Sequence, residues 1–104
     1  MNDPFLKLTV ELIRRLALLG VPPLSQQLYY YMLIRSGNSG LFWEAKAKAA
    51  SVFGKERLSD KGRRDWFRGT VGPLINKGLV TKRRAGCRGT TAEYRVLNIL
   101  DSKD

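Results

Sequence analysis

Two clusters of cations carry the concentrated chemistry of this sequence. Lys61, Arg63, Arg64 and Arg68 surround Asp65, and Lys82, Arg83, Arg84 and Arg88 follow a short distance on. A guanidinium presents a planar fork of donors that fits a phosphate or the edge of a guanine, whereas an ammonium acts on phosphate as a point charge. Arg64 and Arg68 are spaced by one helical turn, so a helix would aim both from one face. The second cluster straddles the glycines Gly86 and Gly89, which suit a loop. From a loop, side chains reach phosphate but hold no fixed register against base edges. The chemistry on offer is polyanion recognition.

Other chemistries lack their residues. The chain has no histidine and a single cysteine, Cys87. A histidine general base, a Cys/His zinc site and an intrachain disulfide are therefore excluded. There is no Gly-Lys-Ser/Thr phosphate cradle and no convincing carboxylate pair, so an enzyme is not expected, and neither a metal nor a cofactor is. Cys87, placed beside Arg84 and Arg88, reads as incidental rather than reactive. The net charge of +10 is unevenly spread: residues 55–95 hold 12 Lys/Arg against 4 Asp/Glu, which is +8 of the total. A polyanionic partner should meet that half.

Length and composition set the scaffold. At 104 residues with 43% hydrophobic content, the chain has room for one globular domain with one core. The cysteine usage fits a reducing cytoplasm. Asp3, Lys7, Glu11, Arg14 and Arg15 interrupt the first 20 residues, so neither a signal peptide nor a membrane-spanning helix is expected there.

The elements that must position the cations follow from periodicity and stop signals. Asp3-Pro4 opens a helix that ends at Gly20 before Pro22-Pro23. Phe5, Leu8, Leu12, Leu16 and Leu19 form one apolar stripe on it, and Leu6, Val10, Ile13 and Ala17 a second. Together they cover more of the helix than one small domain readily encloses. One stripe is expected to meet a second copy, and the first is nominated for that contact. A second helix runs from Ser25 to about Arg35, with Leu28, Tyr31, Met32 and Arg35 sharing a face and Gly37 as its stop. The run Tyr29-Tyr30-Tyr31 reads as packing rather than base stacking. Leu41-Phe42-Trp43 is a brief strand able to pair with a later hairpin. Glu44 to Phe53 is helical, with Ala47, Ala50, Val52 and Phe53 inward.

Ser59 or Asp60 caps the helix that carries the first cation cluster, which ends at Gly78. Its expected buried face is Phe67, Val71, Leu74 and Ile75. The opposite face holds Lys61, Asp65, Arg68, Gly69, Gly72 and Asn76, with Arg63 and Arg64 on its flanks. Gly69 and Gly72 either admit a close backbone or, with Pro73, mark a kink. Leu79 to Arg84 and Thr91 to Leu97 then pair as an antiparallel hairpin with the second cation cluster at its tip.

The segments LYYYMLIRSGNSGLFW, EAKAKAASVFG and RRDWFRGTVGPLINKGLV are similar, in that order, to the first helix, positioning helix and recognition helix of the winged helix-turn-helix family of DNA-binding proteins. The resemblance spans residues 24–97 and includes the Gly-Leu-Val exit from helix into wing. Pro73 and the long connector Lys55 to Leu58 depart from that pattern. The resemblance implies an α+β, mostly α fold with a winged helix domain over residues 24–98; the helix over 1–20 is an addition to it, expected from its stripes to serve dimerisation, and 99–104 is a short tail. The resemblance implies duplex DNA as partner, with Lys61, Arg63, Arg64, Asp65, Arg68, Gly69 and Thr70 on the recognition helix, and Lys82, Arg83, Arg84, Arg88 and Thr90 in the wing. Phe5, Leu8, Leu12, Leu16 and Leu19 would hold the homodimer. The role implied is a transcriptional regulator or repressor, or a plasmid partition or replication factor. An RNA-binding, ribosomal-type winged helix and a protein-interaction winged helix are the alternatives.

Overall fold

The computed structural model describes residues 10–43, 46–84, 92–97 and 99. Phe5, Leu8, Cys87, Arg88 and Thr90 lie outside them, as does the expected helix start at Asp3-Pro4. Among the described residues the chain is α+β and mostly helical. It runs α1 (Val10–Leu18), α2 (Pro23–Ser36), a 3-10 turn (Gly37–Ser39), β1 (Leu41–Phe42), α3 (Lys46–Val52), α4 (Asp60–Asn76), β2 (Val80–Arg84) and β3 (Glu93–Val96). The three strands form one antiparallel sheet in the order β1-β3-β2. No helix among the described residues is long and apolar enough to cross a membrane.

Helix ends lie where the stop signals put them. At the end of α4 the Gly78 amide donates to the Ile75 carbonyl (3.0 Å) and the Leu79 amide to the Leu74 carbonyl (2.9 Å). Those two bonds satisfy orphan carbonyls and require a left-handed residue, which Gly78 supplies with φ of +77°. The same pair of bonds closes α1 at Gly20 and α3 at Gly54. Ser59 caps the start of α4, its hydroxyl accepting from the Gly62 amide (3.1 Å), a contact worth about 1 kcal/mol. Pro22 and Pro23 open α2 instead of merely ending α1, because a proline in the first turn has no amide to leave unpaired.

One core joins all the elements. α2 packs on α4, β1 and β3, while α3 packs on α4. Phe42 of β1 stacks on Phe67 of α4 (6.4 Å between ring centroids, 6° between planes), and Phe67 meets Tyr94 of β3 at 5.8 Å. Tyr31 stands edge-on to Phe42 and Phe53, and Phe53 continues to Trp66 at 5.3 Å. This aromatic chain braces the middle of α4 against the sheet.

Several inward faces differ from those expected, for a shared reason. The buried side of α2 is Ser25, Leu28, Tyr29, Met32 and Ser36, so Tyr31 and Arg35 sit off its centre. Tyr29 can be fully buried because its hydroxyl donates to the Leu97 carbonyl (2.5 Å) and accepts from the Ile99 amide (3.2 Å). Ser25 donates to the Thr70 carbonyl at 2.7 Å, tying the first turn of α2 to α4. In α4 the buried residues are Phe67, Thr70, Val71 and Leu74, and Ile75 is outside. In α3, Ala49 and Ala50 are buried and Val52 is exposed. α4 also continues past Pro73, whose carbonyl accepts from the Lys77 amide (3.1 Å).

α1 belongs to the same core. Leu12 and Leu16 are fully buried within their own protomer, so the stripe nominated for a second copy instead holds α1 to its domain. The outward stripe is the other one, with Val10 82% and Ile13 44% exposed. Arg15 donates to the Ile99 carbonyl (2.9 Å), and Ile99 is itself buried, so residue 99 is a part of the core and not of a tail.

Candidate nucleic-acid interface

The exposed side of α4 presents Lys61, Arg64, Asp65, Arg68 and Gly69. Four-residue spacing lets Lys61 and Asp65 meet at 2.9 Å, and Arg68 reaches the other oxygen of Asp65 at 3.2 Å. The hydrogen bond from Lys61, aided by the charges of Lys61, Arg68 and Arg64, holds the Asp65 carboxyl below its usual range. Both Asp65 oxygens are thus engaged by this chain's own cations. All three side chains are at least half exposed, so these bonds are exchangeable with a phosphate. Gly69 faces open space, and a Cβ there would meet nothing within 4 Å. Among the described residues no contact accounts for the glycine.

Two expected contact residues on α4 are engaged internally. Arg63 turns back along the connector and donates to the carbonyls of Glu56 (2.9 Å) and Leu58 (2.6 Å), and it also pairs with Asp60. Its side chain is only 19% exposed. A guanidinium spent on two carbonyls and a carboxylate latches the α3–α4 connector and is not offered to a partner. Thr70 is buried, its hydroxyl donating to the Trp66 carbonyl (2.8 Å) and its own carbonyl taken by Ser25. Only a hydroxyl absorbed by its own helix lets threonine take an inward position.

Leu79 and Val80 are buried, which anchors the exit from α4 into β2, and the next four residues, Thr81, Lys82, Arg83 and Arg84, are exposed. The ladder pairs Val80 with Val96, Thr81 with Arg95 and Lys82 with Tyr94, and then slips so that Arg84 pairs with Glu93. Arg83 is the extra residue of this bulge. Its position explains why two guanidiniums reach one carboxylate: Arg83 at 2.8 Å and Arg84 at 3.3 Å from separate oxygens of Glu93. The Glu93 side chain is 17% exposed, well covered by the arginines it holds.

Tyr94 lies between the two elements: it pairs with Lys82 of β2 and its ring meets Phe67 of α4. Burial raises the Tyr94 hydroxyl pKa, and the nearby positive charge of Arg68 works against that rise. Glu93 and Arg95 escaped the sequence reading, although a signal was present. The alternation Glu93, Tyr94, Arg95, Val96 puts the aromatic and valine on one face and both charges on the other.

Glu93→Gln keeps the shape of the side chain and removes its charge. Ion pairs near a surface contribute roughly 0.2–1 kcal/mol each, so if the hairpin meets a duplex, freeing Arg83 and Arg84 should tighten binding to a random sequence about two- to thirty-fold at low salt. A fluorescence-anisotropy titration checks this, and weaker binding would mean that Glu93 chiefly positions the arginines.

No protein-family model, curated protein or solved structure matches the chain.

Proposed function

We propose that this chain is a winged helix protein that binds double-stranded DNA, with α4 in the major groove and the β2–β3 hairpin on the adjoining backbone or minor groove. One observation carries the reading: a capped helix with an exposed Lys61/Arg64/Arg68 face passes through a three-residue exit into a basic antiparallel hairpin. A helix is the element that fits a major groove, and a hairpin beside it reaches phosphate. Arg64 and Arg68 are the base-edge candidates, with Lys61 on nearby phosphate. Arg83, Arg84 and Lys82 are the backbone contacts.

The reading includes a homodimer, formed through the outward stripe of α1 that Val10, Ile13 and Ala17 supply. A dimer on repeated half-sites suits a transcriptional repressor or a plasmid partition or replication factor. The test is competition between labelled duplex fragments and a structured RNA hairpin for the purified protein, followed by footprinting of the retained duplex. Retention of the duplex against equal nucleotide concentrations of RNA supports the proposal. Displacement by the hairpin would favour the RNA reading, and binding of neither would leave protein interaction.

A further inference from the structure

The outer face of the sheet holds residues that the duplex reading does not use. Arg95 points outward from β3, set by the register between Leu41 of β1 and Thr81 of β2. Phe42, the last residue of β1, pairs with Tyr94, and Trp43 follows it directly, at the end of the β1–β3 pairing nearer Glu93. Glu93, the residue of β3 next to Tyr94, holds Arg83 and Arg84 of β2. Trp43 is 56% exposed, while Phe42 beside it is buried in the core. A flat indole in water, on a small sheet that also exposes Arg95, Thr81, Arg83 and Arg84, matches a ligand that alternates flat apolar surfaces with negative charges.

We propose that this face binds single-stranded DNA, with a base stacked on Trp43 and the neighbouring phosphates on Arg95 and the Arg83/Arg84 pair. The inference rests on the duplex reading in one respect: the face shares Arg83 and Arg84 with the duplex contacts, so the strand it takes is continuous with a duplex held on α4. That continuity selects DNA. Stacking on an aromatic side chain is indifferent to base identity, and alanine substitution of such a platform weakens binding by about five- to over one hundred-fold. A protein partner would be a poorer fit, because among the described residues this face offers Arg95, Thr81, Glu93, Arg83 and Arg84 against Leu41 and Leu97 as apolar neighbours.

The chain's two tryptophans make the test direct. Trp66 packs against Phe53 with its indole nitrogen buried, which leaves Trp43 as the tryptophan open to solvent. A thymidine 12-mer should quench the intrinsic fluorescence of the full chain on binding. Trp43→Ala should abolish most of that quench and weaken 12-mer binding five-fold or more, with duplex affinity within about two-fold of wild type. Trp43→Phe, which keeps a flat ring, should retain most of the affinity. Arg95→Ala, at an exposed site, should flatten the single-strand salt slope by about 0.7. Absence of quenching by the 12-mer overturns the proposal, as does an equal loss of duplex binding in Trp43→Ala. A uridine RNA 12-mer that binds more tightly overturns the choice of DNA. Quenching that rises with protein concentration alone identifies a second copy as the occupant and overturns it too. Duplex binding on the same preparations reports on the other reading separately: quenching by the 12-mer without any duplex binding upholds this face and removes the duplex site.

Discussion

Replacing Arg83 and Arg84 together with alanine should weaken binding to every duplex alike and flatten the slope of log affinity against log salt by up to about two units. Each phosphate contact on duplex DNA releases counterions worth about 0.9 in that slope, whatever the base sequence. Arg68→Ala should behave differently. Its side chain stands on α4, one turn from Arg64, and α4 is itself braced to the sheet through Phe67 and Tyr94. A bidentate base contact from such a position discriminates by roughly 1–3 kcal/mol, so the cognate site should lose about five-fold to over one hundred-fold while random DNA changes little. Salt titrations of both variants on both duplexes make the check. A wing pair that alters specificity, with Arg68 altering only the salt slope, would reverse the roles. No effect from either would leave both clusters as solvated surface charge and remove the duplex reading.

The second large effect is on stability. Leu16→Ala should cost about 2–5 kcal/mol, a large share of the roughly 5–15 kcal/mol that a domain possesses. Leu16 is fully buried beside Leu12, and its carbonyl accepts from the Val21 amide (3.1 Å) as α1 turns towards α2. Truncation leaves a cavity where α1 meets the core, and the midpoint of urea unfolding reports the loss. Ile13→Glu is the contrasting variant. Ile13 is 44% exposed on the outward stripe, so its replacement should shift stability by only about 0.5 kcal/mol. Sedimentation of this variant should nevertheless show monomers where the wild type is dimeric. A monomeric wild type at tens of micromolar would remove the dimer from the functional proposal.

The contrast between Leu16 and Ile13 illustrates what the sequence could and could not say. Periodicity showed two apolar stripes on one helix, but no local pattern says which stripe meets the rest of its own chain. Signals that act within a few residues were legible. Gly20, Gly54 and Gly78 end helices, Ser59 caps α4, and the Leu41-Phe42 strand pairs with β3. Readings that depend on bonds between distant residues were not. Ser25 and Thr70 are 45 residues apart, and Tyr29 finds its partners at Leu97 and Ile99. Those bonds let polar side chains occupy the core, so ranking by hydrophobicity chose Ile75 where the fold uses Thr70. Charge misled in the same way at Arg63. Its neighbours made it look like a phosphate contact, whereas its donors close the connector between α3 and α4. In the wing the positive run was plain, but the bulge was not, and without it nothing draws Glu93 to two arginines at once.

The exit from α4 has a mechanical consequence. Lys77, Gly78 and Leu79 are the whole span between helix and strand, and the Gly78 and Leu79 amides are bonded back into the last turn. Leu79 in turn accepts from the Leu97 amide (2.9 Å), so the exit is fastened on the β3 side as well. Helix and hairpin thus form a single lever with no hinge between them. The two cation clusters stand at a fixed separation, like the jaws of a gauge that cannot be adjusted. On the proposed reading, a polyanion whose charges are spaced to fit would close on both at once, and a mismatched one would touch either cluster only by losing the other.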